Sequence, residues 1–258
     1  MLTTTLHRSE HPSAAAALPA TPAVPHDAPP RLDLYAPIHK ALRLFMNDTL
    51  ARVGRIDIDD AAECAATLAQ VDGLLEFCAR HLAHENEFMH PAIEARAGGA
   101  AARAAADHGE HLIAIAELAA EAHLLASTTG AAARSVLALR LYRHLALFVA
   151  DNLQHMHIEE TAHNQALWAH YRDDELAALH GALLASIGDA EMAQVLHWML
   201  PALAPVERAE MLAGMQAQMP PEAFRGVLGI ARDRLDDTAW AKLCRALKLP
   251  VAPGLCGA

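Results

Sequence analysis

Two histidine–glutamate pairs at a spacing of four carry the strongest chemical signal in this chain: His81 with Glu85 in HLAHE, and His155 with Glu159 in HMHIE. Residues four apart on an α-helix share a face, one turn above the other. Such a pair offers an imidazole nitrogen to one metal ion and a carboxylate oxygen to another nearby. One pair arises easily by chance in a chain with 17 His; two pairs on alternate helices call for a common cause. His39, together with His108 and His111 in DHGEH, adds imidazoles from two further segments. His is the commonest transition-metal ligand. An imidazolium or carboxylate buried alone is costly, and a cation is the usual compensation.

The elements that must position these groups are helices. Ala and Leu dominate the hydrophobic 53%, while aromatics are only 4%, a mix that favours helix over strand. Apolar periodicity predicts four long helices, over about 32–53, 60–96, 100–125 and 131–170. Gly54 and the IDIDD segment end the first and cap the second; Gly98 and Gly99 stop the second, with Gly73 a candidate kink inside it. Four long helices joined by short connections imply an all-α, up-down-up-down four-helix bundle. In that arrangement the starts of helices 1 and 3 lie beside the ends of helices 2 and 4. At a rise of 1.5 Å per residue, His39, His81, Glu85, His108, His111, His155 and Glu159 fall within roughly two turns of one height. Steps of three and four from His81 and Glu85 meet Leu74, Cys78, Phe88 and Ala92. The same walk from His155 and Glu159 meets Leu141, Phe148, Ala162 and Ala166. Both stripes are apolar, so the ligating groups are expected to point inward.

The rest of the chain is read from punctuation. Residues 1–30 are rich in Ala and Pro without periodicity, as expected of a disordered leader; they lack the basic start and unbroken apolar run of a secretory signal. The bundle then occupies 31–171. From 172 to 250, start signals at Asp173, Asp189, Pro205, Pro220-Pro221 and Asp236-Asp237 predict four or five short helices, a smaller helical region. Residues 251–258 read as a flexible tail. No stretch reaches the ~18 apolar residues of a membrane span, and a net charge of −11 argues against nucleic acid. The four Cys, none in a CxxC pair, point to a reducing cytoplasm.

At this point the sequence resembles the hemerythrin-like, or HHE cation-binding, family. The features that carry the resemblance are His39 early in helix 1, the run HLAHENEFMHP, the D-H-x-x-H at 107–111, and HMHIEE at 155–160. It covers about residues 32–170. The resemblance implies a non-haem di-iron site with about five His and two bridging carboxylates, open to dioxygen, nitric oxide or peroxide. Carried over, the ligands are His39, His81, Glu85, His111, His155 and Glu159, with His108 the seventh. The two His of helix 3 are three apart here rather than four, and His84 stands at the edge of the His81 face as an alternative donor. Tyr35, one turn before His39, is the candidate proton donor. A structural zinc site would favour four ligands with Cys, whereas His and carboxylate in excess of four suit iron. Binding or sensing of a diatomic ligand is expected ahead of catalysis.

Two other readings compete. A ferritin-like carboxylate di-iron oxidase would use Glu-x-x-His on two helices, and the chain holds Glu87 with His90 and Glu160 with His163. The first pair falls on a helix 2 stripe with Glu76, Arg80, Ala83 and Glu94, a solvated face; the second could be buried. A metal-free helical interaction module is the other. Its Met-rich amphipathic helices after 173 would pack against the bundle or meet a protein partner. His144 could gate a channel, and His197 is expected to be a packed core residue.

Overall fold

The computed structural model describes residues 31–249; the expected leader, 1–30, and tail, 251–258, lie outside the described residues. Nine helices and no strand are found among those described. Helix α1 is Ala36–Gly54. Helix α2 covers 61–96: α-helical Ala61–His84, a single π turn at Glu85–Met89, and α-helical His90–Arg96. Helix α3 is Ala102–Ser127. Helix α4 covers 131–170: Ala131–Ile158, a second π turn at Glu159–His163, and Asn164–His170. Five short helices follow: α5 Asp173–Ser186, α6 Asp189–Ala202, α7 Pro205–Gln218, α8 Pro221–Arg234 and α9 Asp237–Ala246.

The boundaries follow local chemistry. α1 starts four residues later than periodicity predicts, because the Asp33 carboxylate accepts from the Tyr35 and Ala36 amides and Pro37 fits the first turn. Asp60 caps α2, accepting from Ala62 and Glu63, and Asp236 caps α9 through Ala239. Gly130, with φ of 93°, supplies the turn into α4. Gly73 produces no break in α2. A Cβ there would meet Phe45 at 3.8 Å, an ordinary contact.

α1 packs on α2 and α4, and α3 packs on the same two helices, so the four long helices close a ring of contacts. Leu42, Met46, Leu74, Leu118, Leu141 and Leu145 fill its centre, each almost fully buried. α6 lies against α1 and contributes Trp198 and Met199 to that same core, with Leu203 just past its end. Helices α6 to α9 also have an interior of their own, centred on Leu200, Leu212 and Ala231. Trp198 joins the two, stacking on Phe45 with ring centroids 3.9 Å apart. A small third cluster, including Tyr35, Ile93, Leu167 and Leu176, covers the end where α2 and α4 finish. No described helix is long and apolar enough to cross a membrane. Cys64, Cys78 and Cys244 are free and buried.

Trp198→Ala removes the ring that fastens α6 to α1. A buried aromatic truncated to Ala costs about 3–5 kcal/mol, so urea denaturation should show a loss of that size. A loss below ~1 kcal/mol would mean that α6 is held by something else.

Candidate metal centre

His39 from α1, His81 and Glu85 from α2, His108 from α3, and His155 and Glu159 from α4 meet in the interior of the helix ring. His39, Glu85, His108, His155 and Glu159 are nearly inaccessible to solvent, and the His81 side chain is 11% exposed. The donors fall into two groups whose ligand atoms lie within 4.8 Å of one another: His39, His81, Glu85 and Glu159, and then Glu85, His108, His155 and Glu159. Both carboxylates belong to both groups. In the first, His81 Nε2 lies 3.2 Å from Glu85 Oε1, and His39 Nε2 lies 3.6 Å from Glu85 Oε1 and 3.5 Å from Glu159 Oε2. In the second, His108 Nε2 lies 3.4 Å from Glu85 Oε2 and His155 Nε2 lies 3.3 Å from Glu159 Oε1. The two Nε2 atoms of His108 and His155 face each other at 3.0 Å.

The outer nitrogens explain why the inner ones converge. His39 Nδ1 meets Glu160 at 3.1 Å, His108 Nδ1 meets Asn86 at 2.9 Å, and His155 Nδ1 meets Asp107 at 3.4 Å. Glu160 is itself gripped by Arg43 at 2.5 and 2.9 Å. Acceptors of this kind fix ring orientation and leave the opposite nitrogen free for a metal. Inside, both oxygens of Glu85, both of Glu159, and the Nε2 atoms of His39 and His81 have no hydrogen-bond partner among the described residues. Buried polar atoms are almost always satisfied. Six orphans in one cluster fit a cation set between them.

The two π turns begin at the two carboxylates. His90 N–H donates to Glu85 O, and Asn164 N–H donates to Glu159 O, each five residues on. A π turn holds one residue more than an α turn and recurs at functional sites. Its consequence is a one-residue shift of the inward face. On α2 the sequence walk expects Phe88 and Ala92 inside; Met89, His90 and Ile93 are the buried residues. On α4 it expects Ala162 and Ala166; His163, Asn164 and Leu167 are buried instead, and Ala162 is exposed. The solvated face assigned to His90 is therefore corrected: its side chain is 6% exposed and stacks on His108 with centroids 4.7 Å apart. His90, His163 and Glu159 form a third group of donors. Pro91, which cannot donate to the carbonyl of Glu87, is the sequence feature near the α2 turn. α4 carries no such signal.

The remaining candidates fall into place around this centre. His111 is buried and stacks edge-on against His155 at 4.9 Å, outside the grouped donors. His84 turns to α6, where its Nε2 meets Glu191 at 2.8 Å. Tyr35 is buried, its hydroxyl 3.2 Å from His163 Nδ1. His144 pairs with Glu121 at 3.3 Å, a quarter exposed, and His197 is partly buried.

Electrostatics reflect the two carboxylates. Burial pushes His39 down, yet Glu160, Glu85 and Glu159 outweigh it and lift it to about 9. For His108, burial is likewise outweighed by Glu159 and Glu85, again to about 9. Burial would raise Glu85, but His81, His108 and His39 hold it well below the usual carboxylate range. Glu160, despite burial, is held to about 2 by His39 and Arg43. His90 and His111, buried and near other imidazoles, fall to about 4.

Comparison with family models, with curated proteins and with solved structures finds no match to this chain.

In the metal-free chain His39 and His108 titrate above the ordinary 6.5. Their stabilisation is complete below that value and is lost as pH rises through about 9. His90 and His111 titrate below 6.5, so proton uptake by the unfolded chain erodes stability as pH falls toward 4. The urea midpoint of the metal-free protein should peak near pH 6.5 and decline on both sides, toward about 9 and toward about 4. A flat profile over that range contradicts these shifts.

Proposed function

We propose that the four-helix ring is an up-down-up-down bundle of the hemerythrin-like kind, and that its centre holds a non-haem di-iron site that binds or senses dioxygen, nitric oxide or peroxide. The observation that carries this reading is the sharing of Glu85 and Glu159 by two four-donor groups, with no hydrogen-bond partner for either carboxylate among the described residues. His39 and His81 would serve one ion, His108 and His155 the other, with Glu85 and Glu159 bridging. His111, edge-on to His155 with ring centroids 4.9 Å apart and its buried Nδ1 without a partner among the described residues, would add a further imidazole beside the second set. A neutral-nitrogen and carboxylate donor set beyond four suits iron better than structural zinc.

When bound, a pair of redox-active ions supplies an electron-rich, exchangeable position for a small diatomic ligand. The chain's own part is to hold that position rigid and dry. Glu160, Asn86 and Asp107 keep the imidazoles turned inward, and Leu74, Leu118 and Leu145 exclude water from the adjoining core. Tyr35 and His163 form a hydroxyl–imidazole pair beside the cluster, where a proton can be held close to the carboxylates.

The ferritin-like alternative loses its carboxylates. Glu87 is exposed, and Glu160 is committed to Arg43 and His39. His90 and His163 are buried, but without a Glu-x-x-His pair acting as a unit.

Loading the metal-free protein with ferrous iron should give about two equivalents per chain by elemental analysis. Glu159→Ala, which removes a donor from both groups, should lose nearly all of it; His39→Ala should lose about half. One tightly bound zinc in place of iron, or unchanged loading of Glu159→Ala, defeats the assignment. Loading should also release protons, because the imidazoles must be neutral to bind. With His39 and His108 at about 9, unbuffered titration at neutral pH should release about two protons per chain. No acidification would separate uptake from these residues.

A further inference from the structure

A cavity of about 350 Å3 lies between the ring and the C-terminal helices, and the metal reading makes no use of it. Its lining includes His81 and Glu85 from the donor cluster and Met89 from the π turn. From the other side come Met192 and Met199 of α6 and Met211 and Met215 of α7, with Leu183 of α5. Water in a cavity needs two to four polar partners, and walls of methylene, methyl and thioether groups supply few. The volume lies at the lower end of the range for small-molecule sites, and methionine adapts its shape to an occupant.

Charge around the cavity narrows the occupant. Three carboxylates that line it are already satisfied, Asp33 by the Tyr35 and Ala36 amides, Glu191 by His84 and Glu207 by Lys40, and the fourth, Glu85, is turned toward His39, His81 and His108. They offer nothing to a cation, and with Glu85 they disfavour an anion. Arg80 also lines the cavity, and its buried Nε–H has no acceptor among the described residues. A neutral oxygen would satisfy it.

We propose that this cavity binds a neutral, medium-chain aliphatic molecule bearing a hydroxyl or carbonyl oxygen. The chain lies among the methionines of α6 and α7, and the oxygen accepts from Arg80 Nε–H. The inference goes beyond the di-iron reading, since the cavity is present whatever the donor cluster holds. It also gives the helices after 173 a role as one wall of a binding site.

The test is calorimetric titration of the full-length, metal-free protein with 1-octanol, octanoate and octylammonium. 1-Octanol should bind saturably with one site per chain, at least tenfold more tightly than either charged analogue. Met211→Trp and Leu183→Trp fill the cavity from α7 and from α5, at partly buried positions. Each should weaken 1-octanol at least tenfold while leaving the helical circular dichroism and the iron content unchanged. Arg80→Met should weaken 1-octanol severalfold and leave n-octane unaffected. Absence of saturable binding, equal affinity for the charged analogues, or undiminished binding by both folded Trp variants overturns the proposal. Saturable 1-octanol binding by a protein that takes up no iron upholds the cavity and removes the di-iron reading, so the two fail separately.

Discussion

Two carboxylates, Glu85 and Glu159, sit almost wholly inside the core, and the structure around them is arranged to compensate their charge. An isolated ion at that depth would cost several kcal/mol. Imidazoles from all four long helices therefore surround them, and no single helix could supply enough. In the metal-free chain that compensation takes the form of protons: against the effect of burial, Glu160, Glu85 and Glu159 raise His39, and Glu159 and Glu85 raise His108, each to about 9. A cation held there would compete with those protons for one charge balance, so its uptake and folding stability would draw on the same residues.

Much of the fold was legible because it rests on local chemistry. The breaks at Gly54, Gly98-Gly99 and Gly130 and the caps at Asp60 and Asp236 are short-range signals, and each of the five expected starts after 172 opens a helix. The donor set was legible for a related reason. His81 with Glu85 and His155 with Glu159 lie upstream of any irregularity, where 3.6-residue periodicity holds. Past Glu85 and Glu159 that assumption fails. One additional residue in each π turn rotates everything after it, so Ala162 and Ala166 yield the interior to His163 and Leu167. His90 moves from an expected surface into the core by the same step. Nothing in HIEETAHNQ distinguishes a π from an α turn; tertiary contact decides it.

The groups that orient the imidazoles were hidden for a different reason. Asn86 serves His108, Asp107 serves His155 and Glu160 serves His39, each pairing residues from different helices. Spacing along one helix cannot report such a contact. Each partner nevertheless neighbours a donor: Asn86 follows Glu85, Asp107 precedes His108 and Glu160 follows Glu159. A helix that turns one side chain to the centre turns the next toward the adjacent helix. The orienting residues are thus supplied by the same short motifs as the donors, offset by one and crossed between helices. His84 is the converse case. Its spacing made it a rival to His81, and only the placement of α6, with Glu191, draws it away.

That dependence on α6 makes the C-terminal helices part of how the site is built. Trp198 locks α6 to α1 through Phe45, one and a half turns along α1 from His39, and Gln194 reaches the carbonyl of Gly73 and the side chain of Arg80 on α2. Several methionines of α6 and α7, expected to pack against the bundle or meet a partner, line the space against α1 and α2. Were α6 removed, Phe45 and Phe77 would face water, and His84 would lose the partner that keeps it from competing with His81. The apolar area that α6 covers drives its docking. The polar contacts at His84, Arg80 and Gly73 set its register, because each would be left unsatisfied by a slip of one turn. Selection among the histidines of α2 therefore depends on a helix more than a hundred residues away in sequence.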